Sequence, residues 1–226
     1  MDVVILAGGF GTRLRSFVSD VPKPMAPVAG KPFLEILLAS LSNKGITRAV
    51  LSLGHMADVV AQHFGSKFQG IDLVYAIETQ PLGTGGAIRV ALKSCVQQVA
   101  LVINGDTFLE LDVSALETQW NQTGRPFIVG IEVDDTTRFG RLVLDGQRVV
   151  GFAEKKAGGS GVINSGHYLL PTDIFDGFDR PDPFSFEIDF LMPNVQNLDF
   201  EVFRTNGLFI DIGVPEDFLR AQTIFT

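Results

Sequence analysis

The 226-residue chain, with 46% hydrophobic and 19% charged residues, has the composition of a globular protein, and its 24 glycines and 11 prolines fall short of a low-complexity or collagen-like polymer. Eighteen basic against 26 acidic side chains leave a net charge of −8, which argues against a general nucleic-acid binder, since such proteins need basic surface to displace counterions from phosphates. No apolar run approaches the ~20 residues of a membrane span, Val3 to Ala7 is too short for a signal peptide, and the single Cys95 excludes an intramolecular disulfide, so a soluble protein of the reducing cytoplasm is expected.

In chain order, Asp2-Val3-Val4-Ile5-Leu6-Ala7 predicts a buried strand that feeds a Gly-rich loop. From Pro32, the residues Leu34, Leu37, Leu38 and Leu41 recur at i, i+3, i+4 and i+7, which predicts a helix with proline in its first turn and Gly45 at its stop. Arg48 to Leu53 predicts a strand, Met56 to Phe64 a helix, Leu73 to Ile77 a strand, Ala87 to Cys95 a helix and Ala100 to Ile103 a strand. Such alternation is the pattern of a parallel sheet covered by helices on both faces.

Past Asn104 the rhythm changes. Leu116 to Gln122 predicts one more helix, and Phe127 to Glu132, Arg141 to Leu144, Val149 to Ala153 and Val162 to Leu170 predict strands, with Asp145-Gly146 as a hairpin turn. Pro181-Asp182-Pro183 marks a loop, Ser185 caps a short helix with Glu187 in its first turn, and Pro215 to Thr223 closes the chain as a helix. Neither an internal repeat nor a linker is visible, so the fold class expected is α/β: one domain, residues 1–226, built on a Rossmann-like mixed, mainly parallel sheet flanked by helices.

Charge points to the chemistry. Residues 1–31 carry four basic and two acidic side chains, whereas residues 171–226 carry three basic and eleven acidic, so an anion suits the first region. There the loop Ala7-Gly8-Gly9-Phe10-Gly11-Thr12-Arg13 lets backbone N–H groups approach phosphate, and Pro22-Lys23-Pro24 stiffens a nearby cation. The alternative is a plain strand-to-loop turn with surface cations. A dinucleotide fingerprint fails because Leu14 stands where a glycine is needed, and no Gly-Lys-Ser/Thr completes a Walker loop. Leu82-Gly83-Thr84-Gly85-Gly86-Ala87 opens a helix with room for a flat ligand or for close packing. Asn104-Gly105-Asp106 ends a strand where open α/β sheets bind ligands, so Asp106 suits Mg²⁺, or only an Asx-type turn; Asp211 has a similar setting. His55, His63 and His167 lack metal-ligand spacing and receive no chemistry.

Together these segments resemble the sugar-1-phosphate nucleotidyltransferase family (nucleoside-diphosphate-sugar pyrophosphorylases) nearly end to end: LAGGFGTRLR, DVPKPM, PLGTGGA, NGD, FAEKK, INSG and FIDIGVPEDF occur in order. The resemblance implies a fold of nucleotide-diphospho-sugar transferase type, with residues 1–110 binding nucleotide and 111–226 binding sugar phosphate. It implies that Leu6, Ala7, Gly8, Gly9, Gly11, Thr12 and Arg13 wrap the triphosphate and that Gly83, Thr84 and Gly85 lie beside the base. Lys23 would act with Arg13 at the reacting phosphorus, Asp106 and Asp211 would hold Mg²⁺, and Gly105, Glu154, Lys155, Asn164 and Glu187 would face the sugar phosphate. By the same resemblance, GTGGAI, PFSFEIDFL and IDIGVPEDFLRAQ point to members that join GTP to D-glycero-α-D-manno-heptose 1-phosphate. Mannose 1-phosphate and uridylyl transfer are the neighbouring alternatives. Thymidylyl members place a glutamine where this chain has glycines. The partners implied are small molecules, an NTP and a sugar 1-phosphate, with no nucleic acid and no membrane, and a homodimer is one assembly left open. A nicotinamide-dependent oxidoreductase and a non-catalytic nucleotide-sugar sensor are the rival classes.

Overall fold

The fold was obtained as a computed structural model that describes residues 1–9, 21–137, 140–153 and 158–226. In chain order the strands and helices are β1 (Asp2–Leu6), β2 (Pro27–Val28), β3 (Lys31–Pro32), α1 (Phe33–Asn43), β4 (Arg48–Leu53), α2 (Ala57–Phe64), β5 (Lys67–Phe68), β6 (Ile71–Ile77), α3 (Gly83–Leu92) and β7 (Val99–Asn104). They continue as β8 (Thr107–Leu109), α4 (Val113–Thr123), β9 (Phe127–Val133), β10 (Arg141–Asp145), β11 (Arg148–Ala153), β12 (Gly161–Pro171), α5 (Met192–Asn194), β13 (Glu201–Thr205), β14 (Phe209–Asp211) and α6 (Pro215–Ile224). A π-helical turn, Phe186–Leu191, runs into α5.

Ten strands among the described residues form one sheet in the order β10-β11-β13-β9-β12-β7-β1-β4-β6-β5. The pairs β7–β1, β1–β4 and β4–β6 are parallel, as the alternation of strands and helices predicts. In the second half, where the rhythm of the sequence changes, only β13–β9 is parallel and β12 lies antiparallel to both β7 and β9. The sheet is therefore mixed. Among the described residues, strands β9 to β12 follow one another with no crossover helix between them, and there β10–β11 and β9–β12 pair antiparallel.

Period-two alternation sends successive side chains to opposite faces. Val3 and Ile5 join a core under α1, α2, α4 and α6, whereas Val4 joins a core under α3 that is rich in phenylalanine, including Phe184, Phe186 and Phe190. On α1 the predicted stripe Leu34, Leu37, Leu38 and Leu41 is buried. Helix α3 begins a full turn earlier than the apolar spacing predicts, at Gly83, and ends at Leu92, leaving Cys95 beyond it. No helix among the described residues is long and apolar enough to cross a membrane.

Candidate active site

Register aligns the carboxyl ends of the parallel strands: Leu6 of β1 lies beside Ser52 of β4 and Asn104 of β7, and Leu53 of β4 beside Ile77 of β6. Open α/β sheets bind ligands at such an edge. Here the loops enclose a cavity of about 670 Å³ whose walls include Leu6, Ala7, Gly8, Gly9, Lys23, Glu78, Gly83, Thr84, Asn104, Gly105 and Asp106. That volume lies within the range of small-molecule sites. Ala7 and Gly105 are stitched to the strand ends by Ala7 N–H to Ser52 O and Gly105 N–H to Leu6 O, each 2.8 Å. A Cβ on Gly8 would sit 3.0 Å from Gly54 N, so glycine there permits close approach of two loops.

Lys23 lies in a short 3₁₀ turn, Lys23–Met25, entered through Pro22, and its ammonium forms an ion pair with Asp106 Oδ2. The structure also joins the two acids that sequence alone leaves apart. Strand β14 pairs antiparallel with β8, setting Asp211 opposite Thr107, and Ile212 N–H donates to Asp106 O at 3.0 Å. Gly213 lies where a side chain would intrude: an added Cβ would be 2.5 Å from Lys23 Nζ, 2.8 Å from Asp211 Oδ1 and 3.5 Å from Asp106 Oδ2. Two carboxylates facing one small space suit a hard divalent cation such as Mg²⁺, which takes one or two carboxylates and completes its shell with phosphate and water oxygens. No larger group of three His, Cys, Asp or Glu residues able to hold a metal occurs among the described residues.

The wall at the start of α3 differs in detail from the sequence expectation. Gly83 and Thr84 line the cavity, but Gly85 and Gly86 are buried under the segment around Phe184. A Cβ on Gly85 would collide with the Phe184 ring, and one on Gly86 with the Asp182 carboxylate. Gly83, at φ +71°, is pressed against the Phe184 backbone, and Gly85 N–H donates to Phe184 O at 2.9 Å. Arg89 closes this seam, 2.8 Å from Asp182 and 4.8 Å above the Phe184 ring.

Glu78, just past β6, is an acidic cavity residue that sequence reasoning missed. Its Oε2 accepts Leu82 N–H at 3.2 Å and its Oε1 accepts Ser52 Oγ–H at 3.4 Å. Burial is the main influence on its carboxyl, raising the pKa above the usual value against the opposing effect of those two hydrogen bonds. An acid immediately after a parallel strand was the available signal. His55 also lines the cavity. His167, to which no chemistry was assigned, is fully buried, and desolvation lowers its pKa to about 4.

In the second half, Asn164 on β12 and Glu187 on the π-helical turn meet at 3.1 Å, so these two predicted sugar-facing residues are brought together. Ser185 caps that turn as expected, accepting Ile188 N–H. Gly11, Thr12, Arg13, Glu154 and Lys155 lie outside the described residues.

A sequence profile described as nucleotidyl transferase matches residues 2–226. D-glycero-α-D-manno-heptose 1-phosphate guanylyltransferase of Campylobacter jejuni is 42% identical over 96% of this chain and 97% of its own, and the Aneurinibacillus thermoaerophilus protein of the same name is 37% identical over 98% and 97%. HddC from Yersinia pseudotuberculosis, solved in complex with GMP-PN, superposes with a TM-score of 0.88 at 42% identity, covering 100% of this chain and 99% of that one. The mixed sheet flanked by helices is the nucleotide-diphospho-sugar transferase fold.

Proposed function

Because the chain belongs to the nucleotidyl transferase family, we propose that it transfers GMP from GTP to D-glycero-α-D-manno-heptose 1-phosphate, giving the GDP-heptose and pyrophosphate. The observation that carries this reading is the convergence of Lys23, Asp106 and Asp211 on Gly213, with Lys23 and Asp106 lining the cavity at the sheet edge. Residues 1–110 then serve the nucleotide and 111–226 the sugar phosphate.

The chemistry needs little beyond positioning. A phosphate monoester has a second pKa of about 6, so the sugar phosphate arrives largely as a dianion and attacks without a general base. Lys23 lies where charge develops on the α-phosphate and the departing pyrophosphate, and Arg13 of the glycine loop is its proposed companion. Gly8 and Gly9 let the backbone approach the phosphates, while Asn104 and Gly105 hold the strand end that presents Asp106. When bound by Asp106 and Asp211, Mg²⁺ supplies neutralisation of phosphate charge. Glu78 favours guanine because a carboxylate accepts from two neighbouring donors. Asn164 and Glu187, with Glu154 and Lys155, face the sugar. The reading places the protein in the cytoplasm as a supplier of nucleotide sugar for a surface glycan such as lipopolysaccharide, capsule or S-layer.

Pyrophosphate release tests the proposal. Among GTP, UTP, CTP, ATP and dTTP with the heptose and mannose 1-phosphates, GTP with the heptose should give the highest kcat/KM, and excess EDTA should abolish it. Preference for mannose or for UTP would move the substrate assignment, and release with no pair would overturn the reading.

A further inference from the structure

A buried tyrosine hydroxyl is costly unless paired. Tyr168 on β12 is 3% exposed, and its ring meets Phe186 edge to face at 4.9 Å. The hydroxyl accepts from Asn164 Nδ2 and donates to Glu187 Oε1, both at 2.8 Å. Asn164 and Tyr168 are four residues apart on one strand, where regular pleating would separate them by ~13 Å. They meet because the register of β12 against β9 shifts between them, around Gly166 at φ +73°. Such a bulge bends a strand and redirects its side chains. Asn164 Oδ1 accepts Gly166 N–H at 3.0 Å, which fixes the amide so that Nδ2 faces Tyr168 and Glu187. Burial, reinforced by the Glu187 charge, raises the phenol well above its ordinary pKa, so it stays a neutral donor.

Two further contacts attach this cluster to the nucleotide cavity. A Cβ on Gly166 would collide with the Asn104 side chain, and Phe186 N–H donates to Thr84 Oγ1 at 2.9 Å. Asn104 and Thr84 both line the cavity.

We infer that Tyr168 is a positioning residue of the sugar-phosphate site, holding the Asn164 amide and the Glu187 carboxylate as one unit that selects the hydroxyl pattern of the incoming sugar. The inference rests on the guanylyl transfer proposed above. Sites that pair a hydroxyl reject a sugar lacking it far better than apolar pockets reject a missing methylene. Without the phenol, Glu187 loses the shorter of its two hydrogen bonds in the cluster and keeps that from Asn164, while the ring packing against Phe186 is retained in a phenylalanine variant.

Steady-state kinetics of Tyr168→Phe provide the test. KM for the heptose 1-phosphate should rise about tenfold and the heptose-to-mannose ratio of kcat/KM should narrow, with KM for GTP held within about twofold. Adding Tyr168→Phe to Glu187→Gln should change nothing further, because residues acting through one another are not additive. A lowered Tm with unchanged KM and ratio, an equal rise in KM for GTP, or additive effects would each overturn the inference. Wild type inactive with every sugar 1-phosphate would overturn guanylyl transfer and the inference with it, whereas active wild type and unaltered Tyr168→Phe would overturn the inference alone.

Discussion

Guanine presents two adjacent donors, N1–H and the exocyclic amine, whereas uracil and thymine offer a single N–H flanked by carbonyls. Glu78 is an acceptor on the cavity wall, held by Ser52 and Leu82 N–H. Exchange for glutamine replaces one acceptor oxygen with a donor, so Glu78→Gln should lower kcat/KM for GTP by about ten- to a hundredfold and narrow the GTP-to-UTP ratio. An unchanged ratio would remove Glu78 from base selection. Lys23, Asp106 and Asp211 were singled out in the sequence because a proline or glycine stands within two residues of each and marks a constrained turn. Glu78 was not, since Ile77-Glu78-Thr79-Gln80 has no such punctuation, and its meaning comes from Ser52 on the neighbouring strand.

At the scale of elements, the first turn of α3 is unusual in holding three glycines, each costing up to about 1 kcal/mol of helix propensity relative to alanine. Packing bears on all three: Gly83 lies against the Phe184 backbone, and Gly85 and Gly86 admit the Phe184 ring and the Asp182 carboxylate. Gly85→Ala gains propensity but drives a methyl into that ring, and overpacking of this kind costs about 1–3 kcal/mol. A net loss of stability in urea unfolding is expected, and a gain would show that the glycine does not serve packing. Most elements were legible because their apolar runs are long and buried, as in β4 and β7. Strand β13 escaped notice because Glu201-Val202-Phe203-Arg204-Thr205 carries charge at a buried position, where Glu201, 6% exposed, pairs with Arg125 at 2.5 Å. The glycines of α3 were read as room for a base or room for packing, and the structure gives all three a packing contact while leaving Gly83 on the cavity wall.

For the whole molecule, the parallel half was legible in the alternation of strands and helices, but no local pattern announces that β12 inserts between β7 and β9, because that pairing is decided by chain segments far apart. Burial of His167 has a global consequence for acid stability. Desolvation, with Lys44 assisting and the Ser165 carbonyl and Asp106 opposing, lowers its pKa from 6.5 to about 4. The unfolded chain therefore binds more protons between those values, and stability should fall by up to about 3 kcal/mol as pH drops through that window. Urea unfolding at pH 7.5 and 4.5 should show a smaller acid loss for His167→Gln than for wild type, and parallel losses would exclude this histidine as a source. Strand β7, which carries Asn104 at its end, is paired on both sides, with Ala100 and Val102 in one core and Leu101 and Ile103 in the other. Its amides should exchange with deuterium only when the entire fold opens, whereas those of the glycine turn of α3 should exchange through local opening. Bound nucleotide would then lengthen amide lifetimes at residues 83–86 and leave those at 100–103 set by global stability, a division of one immovable post and one yielding wall within a single site.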